Sequence, residues 1–483
     1  MGNAVQKTNY HIIRAMLFYS LLLLVTLFTS CTKPKNEETV IPPDTLFNTA
    51  FPGKDFDIIA VRQTNTSITF SILAYYTCDA KIEYGLQGGS ISRQVVFSLI
   101  ADVPKEILID ELQQSETYEY YFSYTTASSN QTKRSNKYSF ETAKGPGLPF
   151  VFAIMADSHF DKNTDTNNYK RTLKNISEED PDFLIDLGDT FMSDKFGDDF
   201  SLAIVNYLSQ RYFLGQVCHS FAYYFVQGNH DGESGRYYDG TGQSDAVWSN
   251  QTRRKYFPMP EPDEFYSGNE TSDPYCGLLQ NYYAWEWSDA LFIVLDPFWY
   301  SSANSMDDPW KRTLGSAQYE WLRSVLQMST AKYRFVFIHN LVGGKDLNGK
   351  ARGGAEVAGL YEWGGNSLDG QDDFASERPG WEMPIHDLLV KHHVNVVFHG
   401  HDHFYAYQSL DGIIYQGLPQ PGASENAQPN QADEYGYTEG TFLSGTGYLK
   451  VIISSEGARV EYITTSVQNP DNNKKVVHSY WVN

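Results

Sequence analysis

Between residues 150 and 405, five apolar runs each end in a polar cluster, and this repeated ending constrains the chain more than any other feature. Phe150-Val151-Phe152-Ala153-Ile154-Met155 leads into Asp157-Ser158-His159, and Asp182-Phe183-Leu184-Ile185-Asp186-Leu187 leads into Gly188-Asp189. Phe221-Ala222-Tyr223-Tyr224-Phe225-Val226 leads into Gly228-Asn229-His230-Asp231, and Arg334-Phe335-Val336-Phe337-Ile338 into His339-Asn340. The last run, Asn395-Val396-Val397-Phe398-His399, leads into Gly400-His401-Asp402-His403. Short continuous apolar runs read as strands buried on both faces. Helix-like segments at 169–178, 200–210, 318–328 and 383–392 lie between them, and strand alternating with helix predicts an α/β domain. In such sheets ligands sit at the carboxyl ends of strands, where glycine lets the backbone turn sharply. Taken singly, each ending can be a turn, a helix cap or a satisfied buried histidine. Five together, all carrying Asp, His or Asn, point to one site.

His401 and His403 sharpen that reading. Residues two apart in extended backbone project to the same side, so both imidazoles can reach one region, and histidine is the commonest metal ligand. The ordered motifs Asp-x-His, Gly-Asp, Gly-Asn-His-Asp, His and Gly-His-x-His closely resemble the calcineurin-like metallophosphoesterase superfamily over about residues 150–465. The resemblance implies an α/β catalytic domain, a layered β-sandwich flanked by helices, with a dinuclear metal centre. Carried over residue by residue, Asp157, His159 and His403 would bind the first ion and Asn229, His339 and His401 the second, with Asp189 bridging them. Oxygen and imidazole ligands without thiolate favour Fe, Mn or Zn, divalent or trivalent, with Mg also admissible. Ions about 3.5–4 Å apart can lower the pKa of a shared water and clamp both oxygens of an in-line displacement. His230 is then expected to contact the phosphate or protonate the leaving group, with Asp231 orienting its imidazole. His399 has no matching role and is expected to be structural.

Purple acid phosphatases, which share a sandwich-plus-catalytic layout, carry a tyrosine three residues beyond the bridging aspartate. Here that residue is Met192, and His159 stands where they carry glycine. The chain therefore resembles the non-purple branch, with no tyrosinate-to-iron colour expected. Asp194 lies farther along than the second aspartate of the longer Gly-Asp-x-x-Asp motif and has no assignment.

Two other motifs fail on their chemistry. Residues 344–350 resemble a phosphate-binding P-loop, but Ala351 replaces the hydroxyl residue that would hold Mg²⁺, and Gly353-Gly354 starts a helix poorly. A metallo-β-lactamase motif would need Asp-His where Tyr405-Ala406 stand. The Gly-rich stretch 339–381 carries Lys345, Lys350, Arg352 and Trp363; such a loop can fold over the site, with Arg352 as candidate phosphate partner. The insert at 232–280 is expected either to shape the cleft or to decorate the surface.

Before residue 150 the rhythm differs. Runs at 67–73, 81–84, 107–109, 117–122 and 137–140 have β-like patterns punctuated by turn residues, which predicts an all-β sandwich over 53–143, resembling a fibronectin type III module. It carries no cluster able to do chemistry and is expected to act as a spacer or to aid substrate positioning. Residues 144–149 read as a linker and 150–483 as the catalytic domain. At the N-terminus, Lys7, His11 and Arg14 precede an apolar segment, 15–28, too short for a normal membrane span. It ends Thr29-Ser30-Cys31, resembling a bacterial lipoprotein signal in which Cys31 is lipidated, although Phe28 replaces the usual Leu. Cleaved signal peptide and uncleaved anchor are the other readings, and all three imply export; the lipidated reading places the chain in the bacterial cell envelope, at the outer membrane in a Gram-negative cell. Residues 32–52 read as a flexible tether.

The formal net charge of −22 disfavours nucleic-acid backbones but not a single anionic substrate, because bound metal inverts the local field. Setting Cys31 aside, Cys78, Cys218 and Cys276 allow at most one disulfide. The expected function is a dinuclear-metal hydrolase of phosphate esters, exported and lipid-anchored, acting on a phosphorylated substrate. The alternative is a catalytically silent surface binding protein that works through its β-sandwich.

Overall fold

A computed structural model describes residues 54–126, 131–161, 163–197, 199–305, 307–344, 351–425, 427–429 and 431–482. The expected signal, Cys31 and most of the tether lie outside them, as do Lys345 and Lys350. The described residues belong to one compact unit.

The N-terminal sandwich has one sheet of Phe56–Val61, Ile68–Ala74 and Lys105–Ile109. Its facing sheet holds Arg93–Leu99, Cys78–Leu86, Thr117–Thr126 and Thr132–Arg134, with Tyr138–Glu141 also paired to Thr117–Thr126. Phe56–Val61 escapes alternation-based reading because both its faces are buried. Ile58 and Ala60 enter the sandwich's own core, whereas Ile59 and Val61 join the core of the catalytic half. The sandwich is thus fused through its sheet face to the rest of the molecule and does not hang from a linker. At this seam the buried Arg211 donates through Nε to Asp57 Oδ1 (2.7 Å) and through Nη1 to Ser71 Oγ (3.0 Å). The Ala60 amide donates to the Cys218 carbonyl (2.8 Å).

The catalytic half is two stacked sheets. The first runs Ala222–Phe225, Phe183–Asp186, Phe150–Met155, Gly447–Ser454, Gly457–Thr464, Lys475–Val482, its first three strands parallel. The second contains the parallel strands Ala290–Val294, Tyr333–Phe337, Val396–His399 and Ile413–Gly417, with antiparallel strands at both margins. Between the sheets lies an aromatic core; Phe152 packs on Phe183, Phe292 and Phe335 with ring centroids 5.1–5.7 Å apart. The outer face of the second sheet is covered by the helices Ser316–Met328 and Ile385–Lys391. On the first sheet, Thr166–Glu178 starts at Asp165, whose carboxylate accepts the amides of Asn167 and Asn168. Both layers therefore bury strands on two faces, which is why the five runs are continuously apolar. Cys78, Cys218 and Cys276 are all buried and free.

Candidate active site

The five strands that end in these polar clusters run into one cleft, and the chain leaves three of them, Phe150–Met155, Phe183–Asp186 and Val396–His399, by an unusual backbone turn. Asp157, His159, Asp189, His401 and His403 all have positive φ, between 51° and 70°. Few non-glycine residues adopt this region, and Asp and His do so more readily than most. The turns lock to one another. Asp157 N donates to the Gly188 carbonyl and His159 N to the Asp189 carbonyl, both 2.9 Å, while Gly400 N donates to the His339 carbonyl (2.9 Å). Gly188 has φ of 90°, and a Cβ there would strike the Val226 carbonyl and the Gly228 amide. A side chain would therefore force the Gly-Asp and Gly-Asn-His-Asp loops apart.

These turns aim two groups of ligand atoms inward. Asp157, His159 and His403 form one, Asp189, His339 and His401 the other, each with its ligand atoms within 4.8 Å of one another. His403 Nε2 lies 3.4 Å and His159 Nε2 3.7 Å from Asp157 Oδ1. Asp189 Oδ2 is 3.7 Å from His159 Nε2 and 3.4 Å from His339 Nε2, so it faces both groups. Asn229 Oδ1 lies 3.1 Å from His339 Nε2, which is 3.2 Å from His401 Nδ1. The structure thus brings together all seven residues expected to bind metal.

The donor set fits ions. Asp157 Oδ1 and His159 Nε2 are buried with no hydrogen-bond partner, a costly state that a bound cation relieves. His339 Nδ1 approaches the Leu187 carbonyl at 2.7 Å, which fixes the proton on Nδ1 and leaves Nε2 as the ligand atom. Burial opposes charge on both aspartates, yet His403, His159 and His339 hold Asp157 well below the usual carboxylate range, and His339 and His230 do the same for Asp189. Burial likewise opposes charge on His339, but Asp189 and Asp157 raise it to about 9. The paired carboxylates create a field that gathers positive charge at this point, whether protons or metal ions.

Around the ligands the structure departs from expectation. His230 lines the cleft, but its imidazole partner is not Asp231. His230 Nδ1 lies 2.9 Å from Asp194 Oδ2. The Asp231 carboxylate instead accepts the backbone amides of Asp189 (2.8 Å), Thr190 (2.9 Å), Phe191 (2.6 Å) and Gly228 (2.9 Å). It braces the Gly-Asp loop, and burial with the nearby Asp189 charge pushes it up to about 7. Sequence distance hid this exchange of roles, because a neighbouring aspartate is the obvious partner on paper.

Arg352 also lines the cleft, but its Nη1 is committed to Asp402 Oδ1 (3.1 Å) and to the His401 carbonyl. Asp402 further accepts the Gly353 amide (3.0 Å) and the Tyr437 hydroxyl (2.6 Å). In place of an open phosphate partner, Arg352 is a brace for the His401–His403 turn. Trp363 is fully buried and donates to the Tyr415 hydroxyl (3.1 Å), in the outer core away from the cleft. His399 is buried, outside both ligand groups. Two further cleft residues, Arg236 and Arg312, carry no motif that would have marked them in the sequence. Arg236 comes from the insert at 232–280, which therefore does shape the cleft. Among the described residues, no sandwich residue lines it.

Residues 150–405 match the model of the calcineurin-like phosphoesterase family. Among solved structures, that of PhoD matches with a TM-score of 0.62 at 16% identity, covering 88% of this chain and 90% of that one. Purple acid phosphatase PPD1 from yellow lupin (Lupinus luteus) seeds matches with a TM-score of 0.55 at 14% identity, covering 88% and 73%. At such identities the likeness is one of fold. No curated protein matches the chain.

Proposed function

The chain belongs to the calcineurin-like phosphoesterase family and is a metal-dependent phosphoesterase, and from that premise we propose that it hydrolyses phosphate esters at a dinuclear centre held by Asp157, His159, Asp189, Asn229, His339, His401 and His403. The observation that carries this reading is the pair of ligand groups facing Asp189, two of whose buried atoms lack a hydrogen-bond partner. Ions bound there, Fe, Mn or Zn with Mg also admissible, would supply charge neutralisation at phosphorus and activation of water. The chain's own residues do the rest. Asp189 and Asp157 set the field, and the Leu187 carbonyl holds His339 in the ligating tautomer. His230 is the proton donor to the leaving oxygen. Asp194 occupies its Nδ1, which leaves Nε2 for the substrate. Asp231 and Arg352 are positioning residues for the two loops that present ligands.

Metal analysis of purified protein, paired with hydrolysis of an aryl phosphate, tests this reading. Bound metal and turnover restored by metal after chelation are expected; absence of both would sink it and would favour the silent binding protein. Asn229→Ala is expected to weaken one metal site selectively, and a variant that still fills both sites fully contradicts the ligand assignment.

Export and anchoring through a lipidated Cys31 form the second part of the proposal, supported by the segment 15–31. No helix among the described residues is long and apolar enough to cross a membrane. Cys31→Ser is expected to move the protein from the membrane fraction to the soluble fraction; unchanged partitioning would refute the anchor.

A further inference from the structure

One end of the N-terminal sandwich presents three large apolar side chains to solvent. Tyr76 is 55% exposed, Ile100 65% and Val103 42%. They sit on two turns, one joining Ile68–Ala74 to Cys78–Leu86, the other joining Arg93–Leu99 to Lys105–Ile109. The turns are fastened together. The Asp102 amide donates to the Ala74 carbonyl (2.9 Å) and the Ala101 amide to Thr77 Oγ1 (3.2 Å). Within the second turn the Val103 amide donates to the Ile100 carbonyl (3.2 Å). A single exposed apolar residue is ordinary, whereas several on adjoining turns make a patch of the kind that meets another surface.

The course of the chain points to the occupant. The Tyr75 amide donates to the Asp55 carbonyl (3.0 Å), and Phe56 pairs with Ala74, so the chain enters the sandwich at this same end. It leaves for the catalytic half from the opposite end, where Glu141 pairs with Thr117; here Thr126 pairs with Cys78. Residues 32–53 separate Cys31 from Lys54, a length that spans at most about 75 Å. A lipid on Cys31 would hold this end within that distance of a bilayer, and at such effective concentrations a weak contact suffices. Charge agrees. In a chain of net charge −22, Lys54, Lys105 and Lys133 balance Asp55, Asp79 and Asp102 at this end, with Lys133 paired to Asp55 (2.7 Å). The next acid, Glu106, pairs with Arg62 (2.8 Å). Tyrosine also suits the headgroup level of a membrane, with aliphatic side chains below it.

Building on the lipid-anchor reading, we propose that Tyr76, Ile100 and Val103 form a membrane-contact tip that lays this end of the sandwich on the lipid surface. The test places a nitroxide on Ile100→Cys or Val103→Cys of the lipidated chain in phosphatidylethanolamine–phosphatidylglycerol vesicles. Leu368→Cys, at a 66% exposed position of the catalytic half, is the reference. Cys78, Cys218 and Cys276 are buried, so the label goes to the introduced thiol. Collision with oxygen, which concentrates in lipid, is compared with collision with a water-soluble nickel chelate. The oxygen-to-nickel ratio at 100 and 103 is expected to exceed that at 368 several-fold. Tyr76→Asp is expected to return the label at 103 to the reference ratio. Its turnover of aryl phosphate is expected to stay unchanged, because Tyr76 does not line the cleft. Ratios at 100 and 103 equal to that at 368 would overturn the tip, as would a label at 103 indifferent to Tyr76→Asp. So would nickel shielding at both positions in the Cys31→Ser chain without vesicles, since the chain itself or a second copy would then cover the patch. If Cys31→Ser leaves membrane partitioning unchanged, the anchor reading fails, and the labels in that membrane-bound chain still decide the tip.

Discussion

Both halves of the described chain are stacked β-sheets, yet they bury polar groups for different ends. In the N-terminal sandwich the one buried charged residue is Asp57, and it is saturated across the seam by Arg211. Arg62, Asp102, Glu111 and Ser115, its non-glycine residues at positive φ, lie outside the strands, where the chain changes direction. In the catalytic half, positive φ falls on five expected metal ligands, and Asp157 and His159 keep buried atoms with no hydrogen-bond partner. Satisfied polar burial fastens one element to another, whereas unsatisfied burial on a strained turn persists where a ligand completes it. The contrast separates the attachment surface from the site without reference to conservation.

The largest effect expected from breaking this contrast is at Asp189, which faces both ligand groups. Asp189→Asn is expected to lower kcat/KM by about 10³-fold or more, with loss of bound metal and an unchanged far-ultraviolet circular dichroism spectrum. Activity within tenfold of wild type would mean that the orphaned atoms do not mark a metal centre. At the seam, Arg211→Met strands Asp57 as a buried unpaired charge, which costs about 3–5 kcal/mol in denaturant unfolding. Turnover of the folded variant is expected to remain near wild type. A parallel collapse of activity would show that seam and site are one cooperative element.

His219 gives a smaller, pH-dependent measure of the same seam. Its ring stacks on Tyr138 of the sandwich with centroids 3.9 Å apart, and burial lowers it from its ordinary 6.5 to about 4. Between those values the unfolded chain binds the extra proton, so stability falls as pH drops through the window from 6.5 to 4. The contribution is at most about 3 kcal/mol. His219→Phe keeps the stacking and removes the proton, so its unfolding free energy is expected to decline less between pH 7 and pH 4, measured by urea titration. Identical slopes in the two proteins would assign the acid sensitivity elsewhere.

The fold was legible where periodicity and turn chemistry agreed. Continuous apolar runs followed by Gly, Asp and His marked parallel strands and their functional ends, because both faces of those strands are buried. Phe56–Val61 was missed for the same physical reason: it serves two cores at once, so it shows no alternation. The expected metal ligands were readable because each is fixed by a strand end within a few residues. Their supporting groups were not. Arg236 and Arg312 reach the cleft, and Asp194 reaches His230, through turns whose direction depends on packing between distant segments, and Arg352 is captured by Asp402, itself held by the Tyr437 hydroxyl, only once the second sheet has formed.

The exchange of Asp231 for Asp194 gives the smallest predicted effect and separates site chemistry from scaffold most finely. Asp194 touches the His230 imidazole and accepts the Tyr237 hydroxyl, so its removal bears first on proton donation. Asp194→Asn is expected to lower kcat about 10- to 100-fold for alkyl phosphates. Aryl phosphates with good leaving groups need little protonation, so their kcat is expected to change little, and the acid–base limb of the pH–rate profile is expected to move only for the alkyl substrates. Asp231 instead collects four backbone amides beneath the Gly-Asp and Gly-Asn-His-Asp loops. In Asp231→Asn the carboxamide can accept fewer of them, so the loops that carry Asp189 and Asn229 loosen. Weaker metal retention and lower thermal stability are expected there, with equal losses for aryl and alkyl substrates. A leaving-group-dependent loss in Asp231→Asn, with none in Asp194→Asn, would return the orienting role to Asp231 and reduce the Asp194 contact to packing.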